Sequence, residues 1–304
     1  MVLGRSQSVT TTGRDLALRL ELHDEPESAP EVLWLDDPRA ADAALTGGKA
    51  ANLSRLAGAA AVPSGFVLAL PGTSLGREAH ALAVAAYREL AERTGVEEPS
   101  VAVRSSAVDE DGAHASFAGQ HDTFLNVRGA DELRFALARC VASFGSDRAL
   151  EYRRASGLPE TPERVAVLVQ WLVPADAAGV VFSANPVTGA RDEVLVNASW
   201  GLGESVVSGT VTPDALRLAH GDLALRDRVV ADKRTMTIAG PGGTRDVPVP
   251  GRMARLPAVS DEQARAAAAL ALDLEHRMGF PVDLEVAWAG SDLFLLQCRP
   301  ITTL

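Results

Sequence analysis

Four polar side chains near the end of the chain, Asp283, Glu285, Gln297 and Arg299, alternate with apolar residues in two strand-like runs. An antiparallel hairpin with a three-residue loop over 290–292 sets Glu285 opposite Gln297 and Asp283 opposite Arg299. All four then share one face, because side chains alternate along a strand. A carboxylate and an amide oxygen can hold Mg²⁺ between phosphates, and an arginine can neutralise a transferring phosphoryl group.

A solvated outer face with an ordinary ion pair between Asp283 and Arg299 explains the same pattern, so the hairpin by itself leaves both interpretations open. The three-residue loop also predicts Ala289 opposite Leu293. The other face is apolar and is expected to pack on the core. It comprises Leu284, Val286, Trp288, Phe294, Leu296 and Cys298.

Two basic segments could hold phosphate. Gly47-Gly48-Lys49 opens a predicted helix, whose first amides and lysine suit an anion, although a simple helix start is an alternative and the Walker A spacing is missing. Arg104 ends a short predicted strand before two serines. An arginine there suits a phosphate or carboxylate, and a surface salt bridge is the other interpretation.

A loop of mostly small residues precedes the strand predicted at 123–127. Its backbone amides can close over phosphates, or the loop can be a flexible connection. The loop consists of Ser116, Phe117, Ala118, Gly119 and Gln120.

Two further segments end strands in the second half of the chain. Residues 165–173 predict a buried strand, and its last four residues can either hold adenine or simply belong to the core. These four are Gln170, Trp171, Leu172 and Val173. A glycine-rich segment at 200–204, just after a predicted strand, places Glu204 where it could reach a ribose or a metal ion, although one GxG pattern is weak evidence.

The elements that must position these residues alternate between strands and helices. Helices are predicted at 42–55, 78–93, 131–144, 147–155 and 261–278, and strands at 62–70, 101–104, 123–127, 165–173, 179–183 and 194–198. Ser260 and Gln263 form a predicted capping box at the last helix.

This alternation predicts an α+β fold of two lobes with mixed or antiparallel sheets. Pro159 and Pro162 mark the predicted boundary between the lobes. We therefore expect an N-terminal extension at 1–41, a first lobe at 42–158 and a second lobe at 159–304. The first 30 or so residues are either a frayed tail or a strand added to a sheet edge.

The composition excludes several classes of protein. A net charge of −11 over 304 residues argues against general affinity for nucleic acid or anionic membranes. Two distant cysteines form neither a disulfide framework nor a metal motif. No signal peptide and no apolar run of about 18 residues is visible, so a cytoplasmic protein is expected.

The motifs occur in a fixed order along the chain, and this order identifies a family more specifically than any single motif does. The segments GGKAANLSRL, VPSGFVL, VAVRSSAVDEDGAHASFAGQHDTFLNV, VLVQWLV, GVVFSANPVTG, NASWGLGESVVSG, TPD and DLEVAWAGSDLFLLQCRPIT run from residue 47 to 302. This series resembles the ATP-grasp domain of phosphoenolpyruvate synthases, which also occurs in pyruvate phosphate dikinases and rifampicin phosphotransferases.

The resemblance implies a role for most of these residues. Lys49 and Arg104 match residues that bind the ATP phosphates, and the loop at 116–120 matches the segment that covers them. Residues 170–173 match the adenine-holding linker. Glu285 and Gln297 match the metal-coordinating pair, and Arg299 matches the arginine at the transferring phosphates.

The resemblance implies ATP and Mg²⁺ as cofactors and a phosphoryl acceptor as partner. Family members carry a histidine in a TSH-like motif on a swivelling domain, and no histidine of this sequence sits in such a motif. The first hypothesis is direct transfer to a hydroxyl or amine of a small molecule. Alternatives are a subunit that phosphorylates a carrier histidine on a partner protein, and a non-catalytic module that senses ATP.

Overall fold

The computed structural model describes residues 29–106 and 123–304. The predicted loop at 116–120 and residues 1–28 of the predicted extension lie outside the described residues. The strands are β1 Glu31–Trp34, β2 Gly65–Pro71, β3 Val101–Ser106, β4 Thr123–Val127, β5 Arg164–Trp171, β6 Ala177–Phe182, β7 Glu193–Trp200, β8 Asp214–Ala219, β9 Leu225–Val229, β10 Thr235–Gly240, β11 Gly243–Pro248, β12 Val282–Ala289 and β13 Asp292–Pro300.

Helices connect these strands. They are α1 Ala43–Leu56, α2 Arg77–Thr94, α3 Gly129–Ser143, α4 Asp147–Ala155, the single turn α5 Glu204–Val207, and α6 Asp261–Met278. The predicted bounds of β4, α4 and α6 are confirmed, and so is the capping box, in which Ser260 and Gln263 bond each other's backbone N–H groups. In the described ranges, no helix is both long and apolar enough to cross a membrane.

The first sheet has five strands in the order β1-β2-β5-β3-β4, and every described pairing within it is antiparallel. Its central strand β5 is a run of valines, alanine and leucine that is buried on both faces, as a central strand requires. The expected lobe boundary at 158 assigned β5 to the second lobe, which the pairing contradicts. The chain passes between the sheets after Trp171.

The second sheet has six strands in the order β13-β12-β6-β7-β8-β9, again antiparallel. A separate two-stranded ribbon, β10 with β11, follows β9. The α+β class and the two lobes are therefore confirmed. β1, which lies in the predicted extension, is an edge strand of the first sheet.

Two hydrophobic cores support these sheets. One core fills the space between α2, α3 and the outer face of the first sheet, and it contains Cys140. The other contains α6, inward side chains of both sheets, one side of α1, and Cys298. Since α1 contributes Ala50, Leu53 and Leu56 to this second core, the helix that carries Lys49 is packed against both lobes.

The terminal hairpin differs from the predicted register near its turn. Ala289 pairs with Asp292, not with Leu293, so the turn has two residues. A β-bulge then leaves Leu296 as an extra residue before Glu285 pairs with Gln297.

The bulge also changes which side chains reach the core. Leu295 is fully buried among the apolar residues of the second core. Leu296 turns to the other face, and Phe294 lies edge-on to Trp171, with ring centroids 6.3 Å apart. The predicted core positions of Phe294 and Leu296 are therefore wrong, whereas the other four are confirmed.

Candidate functional site

A cleft of about 470 Å³ lies between the two sheets. Every predicted site residue that the structure describes lines it. These are Lys49, Arg104, Gln170, Trp171, Leu172, Val173, Glu204, Glu285, Gln297 and Arg299. Residues from five separate segments of the chain thus meet at one place.

Lys49 is positioned by a kink at Gly47. Asp42 caps α1, but Gly47 has φ 74° and ψ 163°, so the regular helix resumes only at Gly48. A Cβ on Gly47 would lie 2.2 Å from the backbone oxygen of Ser106, so only glycine permits this approach to the end of β3. The approach brings Lys49 Nζ within 3.4 Å of the backbone oxygen of Ser105.

Arg104 lies within β3, and its half-buried side chain lines the cleft. Its guanidinium donates a 3.2 Å hydrogen bond to the backbone oxygen of Leu296, the bulged residue of the hairpin. This bond fixes the guanidinium across the gap between the sheets. The cationic ends of Lys49 and Arg104 therefore border the cleft from the first lobe.

The polar face of the hairpin lines the cleft, which argues against a solvated outer surface. Gln297 is 8% exposed and Asp283 is 6% exposed. Arg299 forms the predicted ion pair, with two nitrogens of its guanidinium bound to Asp283, each at 2.8 Å from Oδ2. Burial raises the pKa of the Asp283 carboxyl above its ordinary value, and the guanidinium of Arg299 offsets that only in part.

The donor set of the hairpin fits a hard divalent cation. Glu285 and Gln297 are directly opposed and present a carboxylate and an amide oxygen to the cleft. Asp283 Oδ1 is buried and has no hydrogen-bond partner among the described residues. No group of three acidic, histidine or cysteine side chains that could hold a metal ion occurs in the described part of the chain. Two protein ligands are the usual number for a Mg²⁺ ion that also binds phosphates and water.

Residues 170–173, which connect the first sheet to the second, form one wall of the cleft. Gln170 is almost fully buried, and its amide donates to the backbone oxygen of Pro63 at 3.1 Å, so its side chain belongs to the structural core. Leu172 and Val173 continue into the cleft beyond the last strand position, beside Ala178 and Leu202. This wall is apolar and suits a flat heterocycle.

Glu204 occupies the first turn of α5 at the exposed rim of the cleft. Its Oε2 accepts a 2.9 Å hydrogen bond from Thr244 Oγ1 of the ribbon. Sequence reasoning missed Thr244, and it also missed the cleft residues Thr123 and Leu125 of β4. Nothing in their local spacing distinguishes them from ordinary strand residues.

These features agree with the family comparison. Residues 69–304 match the family model described as pyruvate phosphate dikinase, AMP/ATP-binding domain. The chain belongs to this family of ATP-binding domains.

Individual relatives carry two kinds of name. The chain is 41% identical over 222 residues to a probable phosphoenolpyruvate synthase of Methanocaldococcus jannaschii, covering 73% of this chain and 19% of that protein. It is 42% identical over 228 residues to the phosphoenolpyruvate synthase of Pyrococcus furiosus, covering 72% and 28%. A rifampicin phosphotransferase of Streptomyces sviceus is 43% identical over 223 residues, covering 73% and 25%. The chain thus matches less than a third of each of these relatives.

Proposed function

We propose that the chain binds ATP with Mg²⁺ in the cleft between its sheets and transfers a phosphoryl group from ATP to an acceptor. The observation that carries this proposal is the convergence of Lys49, Arg104, Glu285, Gln297 and Arg299 on one cleft. Charge neutralisation around the transferring phosphate is what phosphoryl transfer requires, so this arrangement favours catalysis over a module that only senses nucleotide.

Each side chain has a separate task in the proposed reaction. Lys49 and Arg104 hold the phosphate chain from the first lobe, and residues 170–173 hold the adenine. Glu285 and Gln297 would hold Mg²⁺, which would neutralise negative charge on the phosphates when bound. Arg299, held in place by Asp283, stabilises the charge that develops on the transferring group.

Transfer breaks the bond between the transferred phosphorus and its bridging oxygen, which leaves with the nucleotide. It forms a bond from that phosphorus to the oxygen or nitrogen of the acceptor, which loses a proton to solvent. Such a reaction needs alignment and charge neutralisation more than covalent help from the protein. We propose a hydroxyl or amine of a small molecule as the acceptor. The name of the Streptomyces relative, a phosphotransferase acting on a small molecule, supports this choice.

The test is nucleotide turnover by the purified chain, with products separated by chromatography. With Mg²⁺ and candidate acceptors, ATP should be consumed, and the nucleotide formed identifies the group transferred. Glu285→Ala and Gln297→Ala should each abolish Mg²⁺-dependent turnover. Glu97→Ala, at an exposed residue in the turn after α2, serves as the control.

Near-normal turnover in either hairpin variant at saturating Mg²⁺ would contradict the metal site. Turnover that occurs only when a histidine-bearing partner protein is added would replace the small-molecule acceptor with a carrier histidine. If the chain binds ATP but turns it over under none of these conditions, a nucleotide sensor would be favoured.

A further inference from the structure

The ribbon β10–β11 bridges the two lobes at the rim of the cleft. On the second lobe, Gly201 forms a parallel bridge with Thr237 of β10, and Leu202 N donates to the backbone oxygen of Thr237 at 2.9 Å. A Cβ on Gly201, which has φ +80°, would lie 2.4 Å from that oxygen, so the close contact requires glycine. The ribbon is therefore attached directly to the glycine-rich segment at 200–204, which carries Glu204.

On the first lobe, the side chain of Asn126 attaches the ribbon. Asn126 of β4 donates two hydrogen bonds from Nδ2, each 2.7 Å long, to the backbone oxygens of Gly240 and Gly243 at the ribbon's turn. Its Oδ1 accepts from Ser100 Oγ at 2.7 Å and from Arg128 Nε at 3.3 Å. All the hydrogen-bonding capacity of the amide is thus used.

The orientation of this amide is unambiguous. Two backbone oxygens can only accept, so the nitrogen of Asn126 must face Gly240 and Gly243. The residue is 5% exposed and has φ 58°, a left-handed conformation that asparagine tolerates better than most other residues. A buried side chain with every bond satisfied and an uncommon backbone angle indicates a specific anchor.

The ribbon also reaches a predicted nucleotide contact. Thr244, next to the anchored turn, donates to Glu204 Oε2. Leu125, the neighbour of Asn126, lines the same cleft as Glu204. One short path therefore runs from β4 through the ribbon to the carboxylate at the rim.

We propose that Asn126 and Thr244 are positioning residues for nucleotide binding, because together they hold Glu204 in place to bind the ribose hydroxyls. The proposal rests on the proposed function, in which the cleft binds ATP, and it takes the ribose as the group that Glu204 contacts. Asn126 attaches the ribbon to the first lobe, and Thr244 on that ribbon holds the carboxylate of Glu204 by its hydrogen bond. Nucleoside affinity therefore depends on a side chain outside the lining of the cleft.

The test compares adenosine with the dideoxy nucleoside that lacks both ribose hydroxyls, using calorimetry on the full chain. Asn126→Gly removes the anchor without straining the positive φ, and Asn126→Asp keeps the size of the side chain but loses both donors. Each should weaken adenosine binding about 5- to 30-fold, the worth of two net hydrogen bonds. Binding of the dideoxy nucleoside should change by less than about twofold, because that ligand lacks the hydroxyls that Glu204 binds.

Thr244→Val separates positioning from general loss of structure, since Thr244 lies at a partly exposed position on the ribbon. It should weaken adenosine binding about 5-fold. The double variant with Asn126→Gly should bind adenosine no more than about twofold more weakly than the weaker of the two single variants, because both changes act through Glu204. Ser100→Ala, which leaves both bonds to the ribbon intact, is the matched control.

Additive losses in the double variant would overturn the proposal, as would equal losses for both nucleosides. Native adenosine affinity in Asn126→Gly would also overturn it. Failure of the proposed function is distinguishable, because it would appear as absent ATP turnover while adenosine binding still responded to Asn126 and Thr244.

Discussion

At the scale of single residues, the cations of the first lobe distinguish phosphate binding from nucleoside binding. Arg104→Ala and Lys49→Ala should weaken ATP binding about 10- to 150-fold, the worth of one charge-assisted contact. Adenosine affinity should stay near native, because adenosine carries no phosphate. Calorimetry with both ligands measures the difference.

Arg104 also bonds the backbone oxygen of Leu296, so its alanine variant loses a contact between lobes as well as a charge. Arg104→Lys keeps the charge and should recover part of the ATP affinity. Arg134→Ala, which breaks an exposed ion pair on α3, should leave both ligands unaffected. Equal losses for ATP and adenosine would contradict phosphate binding by these two residues.

At the scale of elements, the kink in α1 links local backbone geometry to the site. Gly47→Ala should destabilise the protein, since a residue with a Cβ adopts this combination of positive φ and extended ψ only at a cost of roughly 1–3 kcal/mol, and the clash with Ser106 adds to that. It should also weaken ATP binding, because the displaced helix carries Lys49.

The matched control is Gly58→Ala, close after the same helix, where a Cβ would meet no atom within 4 Å. Urea unfolding and ATP titration of both variants test the prediction. If Gly47→Ala matched Gly58→Ala in stability and ATP affinity, the kink would have no role in placing Lys49.

The hairpin illustrates what alternation in a sequence can and cannot predict. The pairs Glu285–Gln297 and Asp283–Arg299 were correct because the β-bulge compensates for the shorter turn. The predicted pair Ala289–Leu293 at the turn was wrong, because a bulge has no signature in the polar–apolar pattern. Local sequence therefore predicted the polar pairs but not the side on which Leu296 lies.

Long-range pairing explains the other errors. Pro159 and Pro162 indicate a break before β5, yet neither proline specifies which strands β5 will join. Asn126 gave no signal at all, since a single asparagine in a strand is common and its partners in the ribbon lie more than a hundred residues away. The order of motifs, in contrast, predicted the cleft residues because the resemblance spans nearly the whole chain.

At the scale of the whole molecule, one buried ion pair joins three parts of the second lobe. Lys233 and Asp214 are 1% exposed and lie 2.5 Å apart between Nζ and Oδ1. Asp214 also accepts from the backbone N–H groups of Ala231 and Ala258. The pair thus joins the start of β8 to the segment before β10 and the segment before α6.

Lys233→Met should lower the free energy of unfolding by about 3–5 kcal/mol, because it leaves a buried carboxylate without its cation. Adding Asp214→Asn should recover part of the loss, because the unpaired charge is then removed. Urea unfolding of the two variants measures both steps. A double variant less stable than Lys233→Met would show that the carboxylate's backbone bonds matter more than its charge.

The presence of one cysteine in each hydrophobic core offers a way to follow how the lobes open. The side chains of Cys140 and Cys298 are both fully buried. A buried thiol is alkylated only when its surroundings open transiently, so the labelling rate of each reports the opening of its own core. Equal opening free energies from the two labelling rates would mean that the two cores open as one cooperative unit. Unequal values would identify the core that opens more readily, and ATP should slow the labelling of any core whose opening breaks the cleft.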